Sequence, residues 1–133
     1  MKKELKNLIL FCSSFLFGII FYRLLILFFY TDRVSPLRSL TGLSIHHFHY
    51  GIILITIAIL MFIFYKKNGV SILFAGIGLG LILDTFVPSL LINYPRALEI
   101  TAYNQSLIGT IIISGLIIGI SILLCKFPTT FIK

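Results

Sequence analysis

The chain has 133 residues, of which 59% are hydrophobic and only 11% are charged, and its mean hydropathy is +1.10. A soluble domain is usually about 45–50% apolar, so this composition excludes an ordinary soluble domain and indicates a single-domain membrane protein. The net charge of +7 would suit nucleic-acid binding in a soluble protein. Here the charges flank apolar segments, as membrane topology requires, so we expect a lipid bilayer and no nucleic acid as partner.

Four apolar segments are long enough to cross a bilayer, which takes about 20 helical residues. We therefore predict an all-α, polytopic membrane fold, one domain over 1–133, with four transmembrane helices at about 8–30, 47–65, 70–87 and 105–125. The short connection Lys66-Lys67-Asn68-Gly69 predicts that the second and third spans form an antiparallel hairpin.

The first span contains one charged residue, Arg23, seven residues before Tyr30. At 1.5 Å per residue, Arg23 lies roughly 10 Å below the outer end of the helix. A charge at the centre of a membrane helix costs about 2.5–3.5 kcal/mol on insertion scales, so Arg23 needs water or a partner. Two outcomes are open: its side chain extends to the surface, or it forms a salt bridge with Asp84.

The second span opens with SIHHFHYG, residues 44–51, which holds all three histidines of the chain. At 100° per residue, His46 and His49 lie about 60° apart and can share a face with Tyr50, whereas His47 and His49 point nearly opposite ways. One straight helix therefore cannot direct all three imidazoles at one ion. Either the helix begins after His47, or one histidine is left out.

The third span combines a glycine-rich sequence, AGIGLGLILD, with an intramembrane acid, Asp84. Pro88 has no backbone donor and clashes with the carbonyl four residues earlier, which belongs to Asp84. We therefore predict that the helix kinks or ends just past Asp84 and leaves a free carbonyl beside the carboxylate. For that reason a metal is favoured over Arg23 as the cation that keeps Asp84 ionised.

Two pairs of glycines are spaced four apart, and such pairs let helix backbones approach closely. They are Gly76 and Gly80 in the third span, and Gly115 and Gly119 in the fourth. We expect these two spans to pack tightly, against each other or against another subunit. The same glycine faces are the predicted contacts of a homo-oligomer or of a larger membrane complex.

The distribution of positive charges predicts the orientation. With four crossings, seven cationic residues fall on one side and three on the other: Lys2, Lys3, Lys6, Lys66, Lys67, Lys126 and Lys133 against Arg33, Arg38 and Arg96. Cytoplasmic loops carry an excess of Lys and Arg, so we predict a cell-membrane protein with both termini in the cytoplasm. The connections 31–45 and 88–104, and the histidines, then face outward.

Arg23, the histidines and Asp84 therefore come from three helices and fall in the outer half of the membrane. Imidazole and carboxylate ligands together suit zinc, iron or manganese. We predict a divalent transition-metal site made by His46, by His47 or His49, and by Asp84, with water or substrate completing the shell. Two alternatives stay open: a proton or ion relay without metal, and structural hydrogen bonding among these groups.

These motifs resemble those of a set of small prokaryotic integral-membrane proteins of unassigned function. Their pattern is His-His-x-x-x-Gly opening one span, followed by a glycine-rich span that ends in Asp-Glu. In this chain it corresponds to His46, His47, Gly51, Gly76, Gly78, Gly80 and Asp84. The resemblance covers roughly 44–115 and favours His47 over His49. The chain departs from the pattern at Thr85, where the pattern has an acid, so a second carboxylate ligand is missing. The resemblance implies no activity.

Three classes of function are compatible with these features, and no catalytic residue is predicted. The first is a membrane protein with a metal site, which, as an enzyme, would activate water against a substrate near the membrane. The second is a non-enzymatic small subunit or assembly factor of a membrane complex. The third is a transporter or an ion or proton relay component, which with four spans would need to oligomerise to enclose a path.

Overall fold

The structure, a computed structural model, describes residues 3–29, 47–65, 68–91 and 105–126. These residues form four long helices: α1 (Lys3–Phe29), α2 (His47–Tyr65), α3 (Gly69–Leu91) and α4 (Leu107–Lys126). Each helix contains a segment that is long and apolar enough to cross a membrane. The prediction of an all-α chain with four such helices is confirmed, and the predicted spans differ from the helices by at most a few residues at either end.

Helix α3 does not end just past Asp84, because it continues through Pro88 to Leu91. A helix end, one of the two alternatives predicted for this point, is therefore wrong. A proline removes one backbone hydrogen bond, and membrane helices tolerate this where neighbouring groups satisfy the backbone. Helices α1 and α2 both pack against α3.

Helices α1 and α3 pack through Gly76 and Gly80. A Cβ added at Gly76 would lie 2.8 Å from the carbonyl oxygen of Phe11, and one added at Gly80 would collide with the carbonyl of Phe15. Residue numbers rise together along the contact, so the two helices run parallel. This glycine face is covered by α1 of the same chain, and neither α4 nor another subunit is needed to fill it.

Helices α2 and α3 pack through a second pair of glycines, Gly51 and Gly78. A Cβ at Gly78 would lie 2.8 Å from the carbonyl oxygen of Gly51 and close to Ile55, and a Cβ at Gly51 would meet Ile82. Residue numbers rise on one helix as they fall on the other, which gives the antiparallel hairpin that the short connection predicts. Helix α3 thus makes close backbone contacts with α1 and with α2 through different glycines.

Helix α4 is attached differently, through large side chains. Its isoleucines pack against a buried core from α1 and α3 that consists of Phe15, Ile19, Leu83 and Val87. A Cβ added at Gly115 or at Gly119 would meet nothing within 4 Å. Within the described helices, the third and fourth spans therefore do not pack against each other through their glycines, which was one of the two expected arrangements. Gly76 and Gly80 contact α1, and the glycines of α4 face open space.

The helix directions define two ends of the bundle. A Cβ at Gly69, where α3 begins, would lie 3.5 Å from Leu10 near the start of α1. The described lysines Lys3, Lys6 and Lys126 are exposed, and we call the end that carries them the lysine end. At the opposite end of the bundle, α1 and α3 end, and α2 and α4 begin. We call this end the histidine end, because α2 begins there with His47.

Candidate functional site

The main polar feature inside the bundle is an ion pair between α1 and α3. Arg23 Nε donates a hydrogen bond of 2.5 Å to Asp84 Oδ1. The side chain of Asp84 is 0% exposed and that of Arg23 is 15% exposed. Parallel helices in close contact bring side chains at the same level together, which explains why these two residues meet.

Helix α4 contributes to the same network through Thr110. Arg23 Nη2 donates a hydrogen bond of 2.9 Å to Thr110 Oγ1, and the Thr110 hydroxyl donates one of 3.0 Å to the carbonyl oxygen of Ser106. A hydroxyl can accept and donate at once, and Thr110 does both here. The guanidinium of Arg23 therefore connects three helices by hydrogen bonds near the histidine end.

Thr110 belongs to a spacing pattern in the sequence that none of the predicted motifs includes. Ser106, Thr110 and Ser114 are spaced four apart, so they lie on one face of α4, and all three are buried. Small hydroxyl residues repeated at that interval in an apolar span mark the side that faces other helices. The spacing indicates this face, but it does not identify Arg23 as the partner.

The sequence favours a metal over Arg23 as the cation beside Asp84. In the structure Arg23 supplies this positive charge. Burial of an ion is costly, and the cost is offset only when the partner's geometry is good and further hydrogen bonds are made. The 2.5 Å contact and the bond to Thr110 meet both conditions. The carboxylate therefore has a counter-ion from the chain itself.

The start of α2 lies at the level of this ion pair. Gly51 packs against Ile82, and the two helices are antiparallel. His49 is two residues before Gly51, and Asp84 is two residues after Ile82, so both lie about 3 Å further toward the histidine end. The histidine segment and the buried carboxylate thus share one level of the bundle.

The two histidine positions of α2 lie on different faces of the helix. Position 47 is four residues before Gly51, so it shares the face that contacts α3. His49 is two residues before Gly51, about 200° away around the helix, and its side chain is exposed. Its ring contacts that of Phe48 edge-on at a centroid distance of 5.9 Å.

The predicted metal site stays a prediction. Within 3–29, 47–65, 68–91 and 105–126, no group of three or more His, Cys, Asp or Glu side chains is arranged to hold a metal ion. Of the predicted ligands, His46 and the side chain of His47 lie outside what the structure describes. Asp84 and His49 are described, on α3 and on the outward face of α2.

Comparison with protein-family models, with curated proteins and with solved structures found nothing that matches this chain. The resemblance to small prokaryotic membrane proteins is therefore untested. The features that bear on function are the residues themselves and the geometry that brings Arg23, Asp84 and Thr110 together.

Proposed function

We propose that the chain is a four-span protein of the cell membrane whose histidine end carries a divalent transition-metal site in the outer leaflet. The observation that supports this most is the position of Asp84. Its carboxylate is buried, fixed by Arg23, and at the level where α2 begins with the histidines. Ionisable groups kept at membrane depth despite their cost are typical of functional sites.

Arg23 and a metal are compatible partners for Asp84. A carboxylate has two oxygens and about four lone-pair directions, so it can accept a hydrogen bond from Arg23 Nε and also coordinate a metal. The guanidinium also holds the carboxylate in position, and a carboxylate binds a metal in its ionised form. We propose His46, His47 and Asp84 as ligands, because position 47 shares the face of α2 that contacts α3.

The metal proposal predicts which substitutions release the ion. His46→Ala, His47→Ala and Asp84→Asn should each remove most of the bound zinc, iron or manganese, because a site that loses one of three or four protein ligands rarely finds a replacement at the right distance. The measurement is elemental analysis of each variant, purified without chelator in the same detergent.

Two matched variants control this experiment. His49→Ala removes an imidazole from the outward face of α2, and Glu99→Gln removes an acid from the 88–104 connection. Both should keep the wild-type metal content. If His49→Ala releases the metal and His47→Ala does not, the choice of face is wrong; if all variants match the wild type, the ligand set is wrong.

The orientation gives a separate prediction. In a chain with Cys12→Ser and Cys125→Ser, a membrane-impermeant thiol reagent added outside intact cells should label Ser35→Cys and should not label Asn68→Cys. The physical reason is the excess of lysines around the second connection, which holds it in the cytoplasm. Labelling of Asn68→Cys alone would reverse the topology and move the site to the inner leaflet.

A second candidate function, a small subunit of a membrane complex, has one observation in its favour. Gly115 and Gly119 of α4 have open space around them, and glycines four apart allow a partner helix to approach closely. In that case Gly119→Leu should abolish copurification of the partner protein and leave the metal content unchanged. Copurification that survives Gly119→Leu would contradict this candidate.

A further inference from the structure

The hydroxyl residues of α4 and of the turn before it all lie on one face of the helix. At 100° per residue, Ser106, Ser114 and Ser121 lie within about 40° of Thr110 around the axis. This face meets α1, because Thr110 accepts a hydrogen bond from Arg23 there. We call it the hydroxyl face. From Ser106 to Ser121 it extends about 22 Å toward the lysine end.

The hydroxyl of Ser114 differs from the others on this face. Ser114 is only 7% exposed, and within the described residues its Oγ has no hydrogen-bond partner. By contrast, Ser121 donates a hydrogen bond of 2.8 Å to the carbonyl oxygen of Ile117, and Thr110 donates one to that of Ser106. Buried polar groups are nearly always hydrogen-bonded, to protein or to ordered water. A buried hydroxyl that makes no such bond to its own helix points to water as its partner.

The opposite wall is the side of α1 that carries Arg23. Cys12 lies 11 residues before Arg23 and Ser121 lies 11 residues after Thr110, and each is only about 20° around its helix from that contact. Because α1 and α4 are antiparallel, Cys12 and Ser121 lie at one level, about 16 Å from the ion pair toward the lysine end, on sides that are turned toward each other. Both side chains are partly buried. A thiol and a hydroxyl therefore border the space between these two helices.

We infer that water enters between α1 and α4 from the lysine end, along the hydroxyl face, and reaches Ser114, one helical turn from the contact of Thr110 with Arg23. Polar side chains at membrane depth line water-filled cavities, and ionisable groups such as Asp84 mark ion and proton pathways. Water and protons suit this path, because the exposed lysines at its entrance repel metal cations. The inference uses the membrane placement proposed above and needs no bound metal.

The test measures how fast single cysteines react in open membrane fragments that contain the full-length chain with Cys12→Ser and Cys125→Ser. The reagent is 2-sulfonatoethyl methanethiosulfonate, which is small, soluble in water and excluded from lipid. Thiols react as thiolates, which form in water and not in hydrocarbon. Ser114→Cys and Ser121→Cys, both on the hydroxyl face, are therefore expected to react.

Each of these variants has a matched control two residues away. Ile112→Cys and Leu123→Cys lie at nearly the same depth and about 200° around the helix. Ile112 and Leu123 are 58% and 56% exposed, and in a membrane that surface faces lipid. Ser121→Cys should react at least about tenfold faster than Leu123→Cys, and Ser114→Cys at least about fivefold faster than Ile112→Cys. This order is the reverse of the exposure of the four side chains, so burial alone cannot produce it.

Native Cys12 gives a second measurement that introduces no new thiol. In a chain with Cys125→Ser, Cys12 should react faster than Leu123→Cys does, because it borders the same path from α1. If Cys12 and the cysteines of the hydroxyl face react no faster than the controls, the water path is overturned. In that case slow reaction everywhere leaves α4 in the membrane, whereas fast reaction at Ile112→Cys and Leu123→Cys as well contradicts the membrane placement itself.

Discussion

Arg23→Leu is expected to lower the free energy of unfolding by about 3–5 kcal/mol, among the largest effects of any single substitution in this chain. The change leaves the fully buried carboxylate of Asp84 without the charge that now compensates it. It also removes the hydrogen bond from the guanidinium to Thr110, which is a polar connection of α4 to the other helices. The measurement is a denaturant or SDS titration of the purified protein, compared with the wild type.

The double variant Arg23→Leu/Asp84→Leu should recover most of that loss. Replacing both members of a buried ion pair by apolar residues of similar size is often neutral or stabilising, whereas removing one member is not. Lys3→Leu serves as the control, because Lys3 is exposed and its replacement should change stability by no more than about 0.5 kcal/mol. A double variant as unstable as Arg23→Leu would show that the two side chains are not coupled.

Gly80→Ala is expected to cost about 1–3 kcal/mol, although alanine normally stabilises helices. The added Cβ would collide with the carbonyl oxygen of Phe15 and lie 3.2 Å from Cα of Gly18. Both are backbone atoms of α1, so no side-chain rotation relieves the clash and the two helices must separate. The same titration measures the effect.

Gly119→Ala is the matched control for this prediction. It makes the same chemical change in an apolar helix, at a position where a Cβ meets nothing within 4 Å. Stability should stay the same or rise by up to about 1 kcal/mol, from the better helix propensity of alanine. If Gly80→Ala proves as harmless as Gly119→Ala, the close packing of α1 on α3 is contradicted.

The sequence predicted the helices well because length and hydropathy are properties of a single segment. The second span, for example, is found from His47 to Tyr65 as expected. The end of α3 was predicted less well, since Pro88 alone indicates a break. Whether a helix continues through a proline depends on the helices packed against it, and the sequence does not show these.

The contacts between helices were harder to predict from the sequence. The spacing of Gly76 and Gly80 indicates a close approach of two helices, but it carries no information about which helix approaches, and α1 does so. Arg23 and Asp84 are both predicted in the outer half of the membrane, and this similar depth is sufficient to consider them as partners. The spacing of Ser106, Thr110 and Ser114 indicates the face of α4 that packs inward, but only the fold brings Thr110 to the guanidinium of Arg23.

For the histidines, too, the sequence does not show which side of the helix contacts a neighbouring helix. Periodicity separates His49 from position 47 by about 200° around the axis. It cannot say which of the two faces looks toward α3, and Gly51 decides this by packing against Ile82. That contact is the reason for placing His47, rather than His49, among the proposed ligands.

The central claim, a metal site beside the buried Asp84, is tested most directly by the metal content of the wild-type protein. The chain should be purified from membranes without chelator and without an affinity column that carries metal, and then analysed for zinc, iron and manganese against protein concentration. The account predicts close to one transition-metal ion per chain, tightly enough held to survive dialysis. Protein that is folded by its melting curve and carries only trace metal would contradict the claim, and would leave the Arg23–Asp84 pair as a structural connection between helices.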